Sequence, residues 1–459
     1  MRALAAVCMA QFMVVLDVSI VNVALPRIET ALGLDVTASH WVVNAYTLVF
    51  AGLLLLGGRV ADLYGHKRTL LAGLALFSTA SLVGGLAGGQ ETLVAARAAQ
   101  GLGAAVLAPA TLTVVGTAFE GAARTRALAI WTGVGLAGGT AGNLVGGLLT
   151  QTVSWRAVLL VNVPIGVVAA WLARCLPCDR ARTRPRLDLP GAALAVAVLV
   201  CGTFGLARAG THGWSDPATV TALLACGCAL ALFVPVQTRW ASHPLIPPRL
   251  LAHGQVARGN VIALVAGACL SPMWFFLAFS MQQVLQLGPL LTGLGFLPHT
   301  LLAIVFGVVV TPRLLHRVRG HTLLGVGALV AAAGFVWQSR LTPESGYLVG
   351  VLGPAVLIGV GSGLLNTPVT LAATSGVPRA DAGAASGLLN TTKQVGAVLG
   401  LAVLTTVAQP AFAGPADLAR GYGRAFAAMA AALLVVAVLA FTSPAVAATS
   451  DRDGLRSTR

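Results

Sequence analysis

The chain has 459 residues, of which 57% are hydrophobic and only 9% charged, and its net charge is +15. A soluble domain carries about 25% charged residues, so a soluble enzyme, a disordered chain and a coiled coil are excluded. Lipid is the solvent for most of this sequence.

A bilayer-spanning helix needs ~20 mostly apolar residues. Fourteen such runs fall at 4–25, 41–61, 69–88, 92–117, 127–149, 156–174, 189–207, 219–237, 259–283, 291–311, 321–339, 347–374, 383–407 and 424–443. They are continuous, whereas the strands of a membrane barrel alternate in segments of ~10 residues. The first run holds Asp17 and Asn22 and lacks a convincing small-residue cleavage site, so it reads as a first span rather than a removable signal.

Span one reads Leu16-Asp17-Val18-Ser19-Ile20-Val21-Asn22-Val23-Ala24-Leu25-Pro26, and Asp17 is the one acid among fourteen that lies deep within a span. An ionisable residue at membrane depth is costly and marks function by default. Burial penalises the charged form of a carboxyl group, which suits proton exchange. Asp17 therefore reads either as a proton carrier or as a permanent partner of Arg97. Span two carries Asn44 and Tyr46 and ends in Gly58-Arg59-Val60-Ala61-Asp62-Leu63-Tyr64-Gly65-His66-Lys67-Arg68. An acid and bases in such a tight turn suit a network that holds one conformation and releases another. Span four contains Arg97-Ala98-Ala99-Gln100-Gly101-Leu102-Gly103-Ala104-Ala105. Span five carries Gly138, Gly142, Asn143, Gly146 and Gly147, a small-residue pattern that lets helices approach closely. Span six follows Ser154-Trp155-Arg156 and includes Asn162-Val163-Pro164-Ile165-Gly166. Further polar residues at membrane depth are Gln282 and Gln283, Asn366, and Asn390 and Lys393 within Asn390-Thr391-Thr392-Lys393-Gln394. With Asn22, Asn44 and Tyr46, these are candidates for a substrate cavity, or for hydrogen bonds between helices.

If both termini are cytoplasmic, twenty-one of the 29 basic residues fall on the cytoplasmic side and six on the other. That is a positive-inside bias. The positive charge therefore expresses topology and contact with anionic lipid, and no nucleic-acid partner is expected. Of the seven cysteines, five lie in spans as small hydrophobes. Cys175 and Cys178 cannot alone complete a four-ligand zinc site. With no nucleotide loop, metal cluster or supported Ser-His-Asp arrangement, neither an enzyme nor a cofactor is expected.

The turn after span two resembles the G-x-x-x-D-R-x-G-R-R loop of the major facilitator superfamily at Gly58, Asp62, Gly65 and Lys67, with Leu63 and His66 departing from it. Span one is similar to the L-D-x-T-x-V-N-V-A-L-P pattern of the fourteen-span drug:proton antiporters within that superfamily. Span four resembles their R-x-x-Q-G-x-G-A-A motif, implicated there in proton movement. The start of span six resembles W-R-x-x-F-x-x-N-x-P-x-G without the usual aromatic. Span five matches the antiporter pattern G-x-x-x-G-P-x-x-G-G imperfectly, because Asn143 stands in place of its proline. The resemblance covers nearly the whole chain.

It implies an all-α polytopic membrane protein with two six-helix bundles and two extra central helices. The expected units are 1–176, the N-terminal bundle; 177–258, a basic linker and the extra helices; 259–443, the C-terminal bundle; and 444–459, a cytoplasmic tail. The expected activity is export of amphiphilic drugs, antibiotics or secondary metabolites by alternating access, driven by the proton motive force. The expected state is a monomer in the cell membrane. Transport of an endogenous metabolite in either direction, and a sensor on the same fold, are the alternatives. Asp17 and Arg97 would serve proton coupling, and Gly58, Arg59, Asp62, Gly65 and Lys67 the conformational gate.

Overall fold

The computed structural model describes residues 2–34, 36–119, 121–176, 188–241, 244–245, 249–250, 254–374, 377, 382–408 and 414–442. Among these the chain is helical throughout, without strands. Lipid offers backbone groups no partner, so a spanning segment must satisfy its own amides and carbonyls.

The first half comprises α1 (Arg2–Leu32), α2 (Val36–Tyr64), α3 (His66–Gly85), α4 (Gln90–Ala118), α5 (Gly121–Thr152), and the nearly continuous pair α6 (Ala157–Leu160) and α7 (Asn162–Ala173). Next come α8 (Leu189–His212) and α9 (Pro217–Pro235), the latter extended by a π-helical turn, Val236–Trp240. The second half begins with α10 (Gly254–Leu270) and α11 (Pro272–Phe279), interrupted at Pro272 and ending in a π turn, Ser280–Val284. A second interrupted rod joins α12 (Pro289–Gly295), α13 (Leu297–Ile304), a π turn Val305–Val310 and α14 (Thr311–Leu315). It is followed by α15 (Gly320–Gln338), a π turn Leu348–Leu352 leading into α16 (Gly353–Thr374), α17 (Ala382–Ala408) and α18 (Pro415–Phe441).

Each of the fourteen expected ranges falls on one of these helices or rods. Eleven helical stretches among the described residues are long and apolar enough to cross a membrane, and 39–54 and 157–173 are apolar but shorter. Residues 177–187 of the basic linker, Cys178 and the tail 443–459 lie outside the described residues.

Local chemistry sets several ends. Pro190, Pro217, Pro289 and Pro415 stand in first turns, where a missing N–H costs nothing. The Asp188 and Asp216 carboxylates cap α8 and α9 by accepting from the Gly191 amide at 2.8 Å and the Thr219 amide at 3.0 Å. Arg208 donates to Asp216 at 2.6 Å, and this bond with that of the Thr219 amide holds the partly buried carboxyl down to about 2. Gly65 begins α3 at φ 89°, a conformation that favours glycine.

In the first half α1 packs on α4, α5 and α7, while α4 packs on α2 and α3. In the second half α16 packs on α10, α13 and α15, and α17 packs on α10. The halves meet where α5 lies on α12 and α2 on α17, with α8 wedged against α2 and α17. By contrast, α9 leaves Leu224, Leu230, Leu232 and Val234 exposed, a surface suited to lipid.

The contact between α1 and α5 explains the span-five glycines. A Cβ on Gly138 would lie 2.9 Å from the Phe12 carbonyl oxygen, and one on Gly142 would lie 2.7 Å from that of Leu16. Gly146 packs likewise on Ile20, while Gly147 turns to the second half, its Cβ position 2.5 Å from the Pro289 carbonyl oxygen. Asn143 is buried, and its carbonyl oxygen lies 2.3 Å from where a Gly293 Cβ would be. Without a proline, α5 remains one helix from residue 121 to 152.

Candidate functional site

Asp17 sits in α1 with no solvent exposure. Its Oδ2 accepts from Arg97 Nη1 at 2.5 Å. Its Oδ1 accepts from Asn162 Nδ2 at 2.7 Å and from Gln100 Nε2 at 3.0 Å. Gln100 also donates to Ser81 Oγ at 2.6 Å and accepts from Arg97 Nη1 at 2.9 Å. Arg97 Nε donates to the Val42 carbonyl at 3.1 Å, and the guanidinium lies 4.5 Å from the centroid of the Tyr46 ring. Donors from α4 and α7 therefore meet the α1 carboxylate, and α2 and α3 join the cluster through Arg97 and Gln100.

Helical spacing explains the convergence. Arg97 and Gln100 are three residues apart and share one face of α4. Gly101 lets that face approach α2, since its Cβ would lie 2.4 Å from the Tyr46 carbonyl oxygen. Gly103 faces Phe77 of α3 less tightly, its Cβ position 3.1 Å from the Phe77 amide nitrogen. Thus the residues of one short motif divide into two that bond the carboxylate and two that permit the approach. Asn162 opens α7 directly opposite Asp17. A charge buried without a partner is prohibitive. Here opposite charge, two carboxamide donors and a cation–π contact compensate it.

The other candidates occupy three separate places. At the end of the molecule formed by the α1 terminus, Gln282 donates to the Val23 carbonyl at 2.8 Å and Gln283 to Glu29 Oε1 at 3.3 Å. Ser39 donates to Glu29 Oε2 at 3.1 Å, and the Tyr422 hydroxyl donates to Gln283 Oε1 at 2.8 Å. The Leu290 amide donates to Gln151 Oε1 at 3.1 Å. Gln282 and Gln283 therefore tie the halves together at this end. Asn22 and Asn44 are buried within the first half, and Asn44 Oδ1 lacks a protein partner. In the second half Lys393 Nζ donates to Asn366 Oδ1 at 3.0 Å, and Asn390 is exposed one turn before Lys393.

At the opposite end, Lys67 Nζ donates to the Arg174 carbonyl at 2.6 Å, and Gly58 packs near Pro109. The side chains of Arg59 and Asp62 lie outside the described residues. The sequence reading left Gln100, Ser81, Asn162 and Glu29 out of its site. Gln100 and Asn162 stand in recognisable motifs, but nothing distinguishes Ser81 from other serines.

The sequence profile of the Major Facilitator Superfamily matches residues 7–401. The chain is 51% identical to the cephamycin export protein CmcT of Amycolatopsis lactamdurans over 97% of this chain and 93% of that one. It is 40% identical to the puromycin resistance protein pur8 of Streptomyces alboniger, over 94% and 89% respectively. Its fold also matches the POT family transporter PepTSo, with a TM-score of 0.70 at 15% identity, over 96% of this chain and 99% of that one. The relatives are transporters, not enzymes, and this multi-pass membrane chain belongs to the Major Facilitator Superfamily.

Proposed function

We propose that this chain is a proton-coupled exporter of an amphiphilic antibiotic in the cell membrane, working as a monomer by alternating access. The observation that carries the reading is the Asp17 cluster, a titratable carboxylate buried at the junction of five helices. The relatives named for cephamycin export and puromycin resistance support the substrate class.

Residues 1–176 and 259–443 act as two six-helix bundles, with α8 and α9 as additional crossings, giving fourteen in all. The positive-inside bias supports cytoplasmic termini, with the Glu29 end outside. The hydrogen bonds donated by Gln282 and Gln283, and the one Gln151 accepts from the Leu290 amide, then close the outer face. The Asp62 loop stabilises one of the two conformations.

The chemistry follows from the partners of Asp17. A proton on its carboxyl cancels the attraction that holds Arg97. The guanidinium keeps Gln100, the Val42 carbonyl and Tyr46, while α1 loses its strongest tie to α4. Proton binding then differs between conformations, as coupling requires. The proton motive force is the only energy source invoked, and no cofactor takes part.

Asp17→Asn tests the reading. In inside-out vesicles energised by a proton gradient, uptake of a cephamycin or puromycin is expected in the wild type, and its loss in the variant. Unchanged gradient-driven transport by Asp17→Asn overturns proton coupling through this residue. Accumulation on the opposite side overturns export.

A further inference from the structure

We propose that Lys393 and Asn366 form a carboxylate-binding subsite, so that an anionic substrate supplies the countercharge that the second half of the protein lacks. The inference rests on the transport reading above and adds the chemical class of the cargo.

Arg97 and Lys393 are the two basic residues in the middle of expected spans. Arg97 is buried and matched by Asp17. Lys393 lies mid-helix in α17, and its ammonium donates one hydrogen bond, to the neutral Oδ1 of Asn366 on α16. Between residues 254 and 442 the acids are Glu344, Asp381 and Asp417. Glu344 lies between α15 and α16, Asp417 in the first turn of α18, and Asp381 just before α17, outside the described residues. None lies at mid-helix. An ammonium at membrane depth without a resident carboxylate faces a water-filled passage or meets an anion there.

The donor inventory points to the anion. An ammonium has three N–H donors, and among the described residues one is used. With its Oδ1 occupied by Lys393, Asn366 presents its two Nδ2 donors. Asn390 adds a further exposed carboxamide on the same face of α17, three residues from Lys393. Such a donor-rich pair matches the two oxygens of a carboxylate, and charge-assisted hydrogen bonds are the stronger kind. The backbone is held in place: a Cβ on Gly267 would lie 2.4 Å from the Lys393 carbonyl oxygen, so α10 packs directly against α17 at this level.

The test compares one scaffold with and without its charge, using a cephalosporin free acid and its methyl ester. Full-length protein in proteoliposomes under an imposed proton gradient is expected to move the acid in preference to the ester. Lys393→Gln is expected to raise the KM for the acid about tenfold to a hundredfold and to collapse the acid-to-ester preference toward one. Lys393→Arg, which keeps the charge, is expected to retain the preference, and Asn366→Ala to weaken it. Equal handling of acid and ester by the wild type, or an equal effect of Lys393→Gln on both, overturns the subsite. If the wild type moves neither probe, the transport reading fails. Calorimetric binding of the free acid to the solubilised protein then still decides the subsite, which is overturned by a Kd that Lys393→Gln leaves unchanged.

Discussion

The two halves of the molecule treat their intramembrane cation in opposite ways. In the first half Arg97 is sealed beneath Tyr46, matched by Asp17, and its cluster draws bonds from five helices. In the second half Lys393 reaches one neutral amide, and two exposed asparagines stand beside it. In the proposed mechanism a proton is what changes the first arrangement, which is complete without a ligand. The second is incomplete and calls for one. Under the proposed function and subsite, energy conversion and cargo recognition fall on different halves.

The contrast is most exposed to Arg97→Ala. Removing one partner of a buried pair costs about 3–5 kcal/mol, so thermal unfolding in detergent is expected to drop sharply, with low yield from membranes. A melting curve like that of the wild type would mean that the first-half site is not sealed. Gln100→Ala is expected next, at about 1–3 kcal/mol, because Ser81 Oγ and Asp17 Oδ1 each lose a donor and Arg97 loses an acceptor. Tyr422→Phe acts where the halves touch and removes one bond to Gln283, worth about 0.5–1.5 kcal/mol. Its expected signature is up to a tenfold gain in labelling of a cysteine placed at Gln151 by an impermeant thiol reagent. Smallest is the effect of Asn366→Ala on stability, expected within about 1 kcal/mol because one exposed bond to a neutral partner is lost. A large loss there would erase the distinction between the halves.

Charge scarcity made half of each site legible. Asp17, Arg97 and Lys393 stand out because ionisable residues at membrane depth are rare, and the helices follow the apolar runs. The neutral partners were harder to read. Gln100, Ser81 and Asn162 carry no such signal, since serines and carboxamides bond neighbouring helices throughout membrane proteins. Gln282 and Gln283 were read as cavity candidates, and the structure sets them at the contact between the halves. Hydropathy cannot separate these two roles, because both reward a polar side chain facing inward. The π turns at Val236, Ser280, Val305 and Leu348 were invisible for another reason: a π turn adds one residue to a helix without altering its composition.

The sequence separations within the Asp17 cluster also set a schedule for biosynthesis. Arg97 follows Asp17 by 80 residues and Asn162 follows it by 145. At roughly 5–20 residues per second of synthesis, the carboxylate waits about 4–16 s for its guanidinium and about 7–29 s for its last carboxamide. During that interval span one holds an acid whose cost at the centre of a lipid-facing helix is about 2.5–3.5 kcal/mol on insertion scales. The first half therefore completes its assembly only once α7 has emerged from the ribosome, and a chain halted before Asn162 exposes an unfinished polar site to the machinery that clears misassembled membrane proteins.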